Sequence, residues 1–385
     1  MSGIVLSASV RQNLLSLQST AALLATTQND LATGKKVNSA LDNPTNFFTA
    51  AGLDSRASDI GNLLDSIGNG VQVLQAANTG ITSLQSLVDT AKSIANQVLQ
   101  TTVGYSAKST STSATVVGPA SNLVDGVNIK SGDTLTIAAT GGGTATNITF
   151  TGSETLDQLN ATLAANNVSA SLNGLGKLVF TTTNDAASST LGAVGGTAAA
   201  FTAVVAGAAP TADAASQAIR SSLVSQYNGI ITQISNTAAD ASFNGINLLN
   251  ADTLKLTFDE TGKSTLSITG VTFNATGLGL NSLVSGQDFL DNNSANKTLT
   301  ALSAASTSLR TEASSLGSNL SIVQIRQDFN KNLINVLQTG SSNLTLADTN
   351  EEAANSQALS TRQSIAVSAL ALSNQAQQSV LQLLR

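Results

Sequence analysis

The sequence predicts a mostly α protein: a long antiparallel coiled-coil rod with a β-hairpin, plus an inserted small α+β outer domain. Three observations carry that expectation. Apolar residues recur every seven positions over nearly six heptads between Ile60 and Val98. Only 3% of the 385 residues are aromatic and 10% are charged, which starves a large globular core of bulky side chains but suits slender, closely packed helices. Between 103 and 212 the pattern changes to Thr, Gly and Val in strand-like alternation.

The first helix is marked by Val10, Leu14, Leu17, Ala21, Leu24 and Leu31, an apolar seam broken only at Gln28. Gly34 suits its C-cap, and the turn-rich run up to Pro44 separates it from the next helix. That second helix carries the strongest periodicity: Ile60, Ile67, Leu74, Ile81 and Val88 in one seam position, with Leu63, Gly70, Ala77 and Leu84 in the other. In the middle zone, Thr134–Ala138, Thr146–Phe150 and Lys177–Thr181 read as strands, and the segment from Glu154 as one short helix. Helical spacing returns over 213–238. Two alternating runs, Leu254–Phe258 and Ser264–Ile268, then form a hairpin with Gly262 in the turn. A long helix follows from about Lys297 to Gln338, with Leu302, Leu309 and Leu316 spaced by seven. A last one places Ile365, Ala369, Leu372, Ala376, Val380 and Leu383 on one face.

Composition excludes several chemistries. The chain has neither Cys nor His, which removes thiol nucleophiles, Ser-His-Asp triads and the common zinc and haem ligands. A net charge of -6 with few cations lacks the footprint of a nucleic-acid binder. No stretch reaches the length of a transmembrane helix, and the first residues have no basic, then apolar, secretory leader. Gly141-Gly-Gly143 has no Lys-Ser/Thr after it, so it reads as a turn and not a phosphate loop. Asp288, Asp291 and Asn292 have the chemistry of a cation site, but a solvated approach to a helix is the favoured reading. The Ser/Thr clusters at 106–115 and 181–190 fit strand and turn chemistry and also permit O-glycosylation. No cofactor or metal is expected.

The ends are the most informative segments. Residues 12–29 and 363–384 contain no charge, yet a solvated helix normally carries charge on its polar face. Gln, Ser and Asn take that place. Three readings stand: a membrane helix, which the amides disfavour; a helix buried in the chain's own core; and a helix buried among copies of itself, where amides and hydroxyls bond across close contacts without desolvating any charge. Leu14, Leu17, Leu24, Leu31, Ile365, Leu372, Val380 and Leu383 are the contact residues of that third arrangement. The two end helices are expected to pair as a hairpin. Identical subunits joined head to tail then close a ring or extend as a filament.

Three stretches carry a resemblance. Leu31-Ala-Thr-Gly-Lys-Lys-Val-Asn-Ser-Ala-Leu-Asp42 resembles the motif that closes the first helix of bacterial flagellins. Phe243-Asn-Gly-Ile-Asn-Leu-Leu249 is similar to the segment before their β-hairpin, and Leu372–Arg385 to their C-terminus. The resemblance implies a filament subunit with inner-tube helices at 1–43 and 346–385. It implies rod segments at 44–102, 213–285 and 286–345, and an outer variable domain at 103–212. Ile60, Ile67, Leu74, Ile81, Val88, Leu302, Leu309 and Leu316 would be the rod core. The chain would pass through the flagellar export apparatus without a cleaved signal and work outside the cell. Its partners would be copies of itself, an export chaperone, the filament cap and hook-associated junction proteins, with no nucleic acid and no membrane. A junction protein between hook and filament, or an adhesin with its binding head at 103–212, are the alternatives. The outer module lies before Phe243, where the best-known flagellins place their variable region after the hairpin.

Overall fold

The computed structural model describes residues 8–383, with the side chains of residues 377 and 380–383 excepted. Within that range the chain is mostly helical with some short strands. Six helices follow in order: α1 (Ala8–Thr33), α2 (Pro44–Gln100), α3 (Leu156–Leu163), α4 (Ala214–Asp240), α5 (Asn292–Thr345) and α6 (Thr349–Leu383). The residues form two compact units. One takes the chain up to Asn69, Leu256–Leu266 and Ile322 onward; the other takes Gly70–Lys255 and Ser267–Ser321.

In the first unit α1 packs along α6. Helix α1 stops at Thr33 because Gly34 adopts φ +69°, a left-handed geometry that glycine enters without strain. Pro44 begins α2, where its missing N–H leaves no helical bond unmade. Ala57 and Ile60 of α2 form a small buried cluster with Leu337 of α5. The hairpin tip also joins this unit. Arg56 pairs with Glu260 at 2.6 Å, Asn330 donates to the Phe258 carbonyl at 3.0 Å, and the Arg326 guanidinium lies 5.8 Å from the centre of the Phe258 ring.

The second unit holds the strands. The run between α2 and α4 contains β1 (Tyr105–Ala107), β2 (Thr110–Thr112), β3 (Thr134–Ile137), β4 (Thr146–Thr149), β5 (Val168–Leu172), β6 (Leu178–Thr182), β7 (Val194–Gly196) and β8 (Thr211–Ala212). They form antiparallel sheets of order β2-β6-β5 and β4-β3-β7, with β1-β8 as a two-stranded ribbon. Leu135, Ile137, Phe150, Leu163, Leu178 and Phe180 share one core, in which Phe201 contacts both Phe150 and Phe180 at ring-centre distances of 6.1 and 6.0 Å. Three of the chain's few aromatics, Phe150, Phe180 and Phe201, meet in this core. Helix α3 opens on a capping box between Thr155 and Gln158. Buried Asn166 ties the end of β3 to the turn after α3: its Oδ1 accepts from Thr140 N, and its Nδ2 donates to the Ile137 and Ala138 carbonyls. The hairpin follows as β9 (Thr253–Thr257) and β10 (Thr265–Thr269).

Several expectations change. Strands β1, β2, β5, β7 and β8 are additions; each spans only two to five residues, which leaves little alternation to mark it. Helix α5 runs from Asn292 to Thr345, longer than the Lys297–Gln338 expected. Its start is set by Asp291, which is buried and not solvated: Oδ1 accepts from Ser294 N and Oδ2 from Ser188 Oγ. Ser109, Ser111 and Ser113, within the Ser/Thr-rich run, are buried with their hydroxyls engaged by Leu191 N, Val205 O and Thr115 O. Those three hydroxyls serve strand packing and are closed to modification in the folded chain.

Candidate assembly surfaces

The motif between Leu31 and Asp42 builds a latch between the ends of four helices of the first unit. Lys36 N and Val37 N donate to the Thr345 carbonyl at 2.8 and 3.3 Å, and Ala347 N returns a bond to the Gly34 carbonyl at 3.0 Å. Lys35 and Leu346 thereby face each other as an antiparallel bridge that joins the α1–α2 link to the α5–α6 corner. Val37 is buried beneath it. Asp42 folds the rest of the link. Its Oδ2 accepts from the Asn38 and Ser39 amides and from Ser39 Oγ. The Ser39 amide first, then that of Asn38, hold the Asp42 carboxyl below its ordinary range. Asn38 Nδ2 reaches back to Asp30 Oδ1 at 3.0 Å and so fixes the last turn of α1.

The α1–α6 pair rises from this latch. Val10, Thr20, Thr27 and Asp30 are the buried residues of α1. Leu17 and Leu24 are half-buried, whereas Leu14 and Leu31 are exposed. The inward face thus follows Val10, Leu17, Ala21 and Leu24 with Asn13, Thr20 and Thr27 between, and leaves Leu14 outside it. Thr20 can turn inward because its hydroxyl is satisfied by the Ser16 carbonyl of its own helix at 2.8 Å. On α6, Ile365 is 63% exposed and Leu372 68%. Val380 and Leu383 fall outside the described side chains. Helix α1 carries leucine outward and α6 isoleucine and leucine, on a face where Gln, Ser and Asn replace charge. An apolar surface of this kind on a slender helix pair is a ready contact for another chain.

The heptad residues behave differently. Ile60, Ile67, Leu74, Ile81 and Val88 of α2 are all buried, as are Leu302, Leu309 and Leu316 of α5.

One buried residue escaped the sequence reading. Arg220 on α4 is 1% exposed and makes bonds to main-chain carbonyls on every side. Nε donates to Thr102 O at 2.9 Å, Nη1 to Phe289 O at 2.7 Å, and Nη2 to Val98 O and Thr101 O at 3.1 and 3.3 Å. It therefore caps the C-terminal end of α2 and holds the approach to α5. Among the described residues no carboxylate lies within ion-pair distance of it. Burial lowers its pKa from the usual arginine value, and nearby Asp291 pulls the other way. Phe289, whose carbonyl it holds, sits at φ +58°, a strained setting for an aromatic residue. The signal was present: Arg220 lies seven residues before Tyr227, on the buried face of α4.

Known proteins share these surfaces in sequence. Residues 5–128 match the bacterial flagellin N-terminal helical region, and residues 299–384 the bacterial flagellin C-terminal helical region, together more than half of the chain. The chain is 30% identical over 164 residues to Flagellin FljM of Caulobacter vibrioides, covering 42% of this chain and 59% of that one. It is 30% identical over 171 residues to Flagellin FljJ of the same organism, covering 43% and 61%. It is also 36% identical over 87 residues to Flagellin A of Rhizobium meliloti, covering 23% and 22%. The match spans about three fifths of the length of the Caulobacter relatives.

Proposed function

The chain belongs to the bacterial flagellins, and from that premise we propose that it is a structural subunit that polymerises into the extracellular flagellar filament and serves motility. The observation that carries this reading is the α1–α6 pair: two helices that pack on each other yet keep Leu14, Leu31, Ile365 and Leu372 facing outward among uncharged polar residues. Neighbouring copies supply the missing partners. Leucine and isoleucine are removed from water, and Gln, Ser and Asn bond across the contact without a charge to desolvate.

In this proposal 1–43 and 346–385 form the inner tube, 44–102, 213–285 and 286–345 the rod, and 103–212 an outer domain. The heptad residues of α2 and α5 are the seam of an antiparallel coiled coil. Support comes from their burial, and from Leu53, Ala57 and Ile60 sharing a cluster with Leu333, Ile334 and Leu337. Copies of itself are the main partner; an export chaperone, the filament cap and hook-associated junction proteins complete the set. No catalytic role is assigned. The mechanism is ordering of the terminal helices as each subunit joins.

Deletion of residues 363–385 tests it. The expected product is a soluble, folded chain that fails to extend filament seeds in electron micrographs. Normal filaments from that chain would refute the proposal.

A further inference from the structure

Gly141 and Gly142, Ser188 and Ser189, the loop 279–290 and the first turns of α5 surround a cleft of about 570 Å³ in the second unit. That is room for a small ligand. Tyr227 lines it from α4. The residue is 1% exposed, its ring meets Phe289 edge-on at 6.0 Å, and its hydroxyl has no hydrogen-bond partner among the described residues. Among the described residues the buried side-chain oxygens left unpaired are those of Thr115, Thr182 and Thr183, so the Tyr227 hydroxyl opens onto the cleft, where a ligand hydroxyl can take the place of water. Burial first, and the Asp288 carboxylate second, push its pKa up to about 12, so it remains a proton donor at neutral pH.

We propose that this cleft binds a neutral saccharide, with the Tyr227 hydroxyl and the Asp288 carboxylate as its central hydrogen-bonding pair. Asp288 Oδ2 is anchored by Val284 N at 2.7 Å, which leaves Oδ1 to accept from a sugar hydroxyl. The side chains of Ser189, Asn281, Ser282 and Gln287 also line the cleft and make no hydrogen bond within the protein among the described residues. Leu283 and Leu290 offer a small apolar face to the C–H side of a pyranose ring.

Other ligand classes fit less well. Both oxygens of Asp291 are already engaged, and no group of three potential ligating side chains occurs among the described residues, so a metal ion lacks a coordination set. An anion would meet Asp288 and Asp291, two carboxylates against the single cation Lys297 in the lining. An apolar ligand would leave Tyr227 and Asp288 unpaired. A polyol satisfies both. Saccharide binding here does not depend on filament assembly, and its failure would leave that reading intact.

The test is saturation-transfer NMR on the monomeric full chain with D-glucose and with N-acetylglucosamine. At least one should give saturable transfer in the millimolar range. Tyr227→Phe, which deletes only the hydroxyl, and Asp288→Asn should each weaken binding about five- to tenfold, while Tyr105→Phe leaves it unchanged. Circular dichroism checks the fold, and Asp288→Asn decides should Tyr227→Phe fail to fold. No saturable transfer from either sugar up to ~50 mM would overturn the proposal. So would unchanged affinity in the folded variants, or galacturonate binding as tightly as the neutral sugars.

Discussion

Single side chains set the joints of this chain. Arg220 replaces what water would otherwise do for four main-chain carbonyls at the end of α2 and before α5. Arg220→Met keeps much of the volume and removes every donor. It is expected to lower stability by about 3 kcal/mol or more, because the carbonyls stay buried and unpaired. Arg220→Lys recovers only part of this, since an ammonium cannot fork in the same plane. Urea unfolding followed by circular dichroism reads both. Asp125 is a second joint. Desolvation opposes the charge of this largely exposed carboxylate. The amides of Ile129, Val127 and Asn128 and the Asn128 side chain together outweigh that and hold its pKa at about 2. The folded value lies below the ordinary 3.8, so its contribution is full above pH 4 and is lost as the pH falls toward 2. The unfolding midpoint should drop across that window, and Asp125→Ala should flatten the drop while lowering the midpoint at neutral pH.

Elements meet through small residues as much as through large ones. Gly80 lies mid-helix in α2, where alanine would normally be worth about 1 kcal/mol. A Cβ there would sit 2.6 Å from the Ala241 Cβ and 2.7 Å from Leu249 Cδ1. Gly80→Ala is therefore expected to destabilise by about 1–3 kcal/mol, as the chain after α4 is pushed away. Gly229 in α4 is the internal control, with open space around it. Gly229→Ala should stabilise by about 0.5–1 kcal/mol. Thermal unfolding of the pair separates crowding from helix propensity, and shifts of the same sign would contradict the packing argument.

At the scale of the whole molecule the proposed assembly rests on the uncharged stretches 12–29 of α1 and 363–383 of α6. Ile365→Gln and Leu372→Gln alter exposed side chains of the isolated chain and should leave its stability within about 0.5 kcal/mol. Burial of each in an assembly is worth about 1.5–3 kcal/mol, so each variant should raise the critical concentration for polymerisation by roughly tenfold or more. Sedimentation of seeded reactions measures this; unchanged critical concentrations would remove these residues from the contact.

Much of this was legible in residues alone. Ile60 to Val88 and Leu302 to Leu316 repeat every seven because a helix buries one stripe, so periodicity reports which side is covered. Gly34, Pro44 and the Asp-Glu-Thr-Gly turn act through local backbone preferences, and the helix ends and the hairpin follow from them. The face of α1 that turns inward did not follow, because Thr20 competes with Leu14 only when α6 lies alongside. Nor did the buried roles of Arg220 and Asp291: the carbonyls that Arg220 holds and the Ser188 hydroxyl that donates to Asp291 lie far away in the chain, and only folding brings those together. Sequence determined the helices, their seams and the uncharged ends, which depend on neighbours a few positions apart. Tertiary structure decided which polar groups are buried and what satisfies them, because that depends on segments a hundred residues apart.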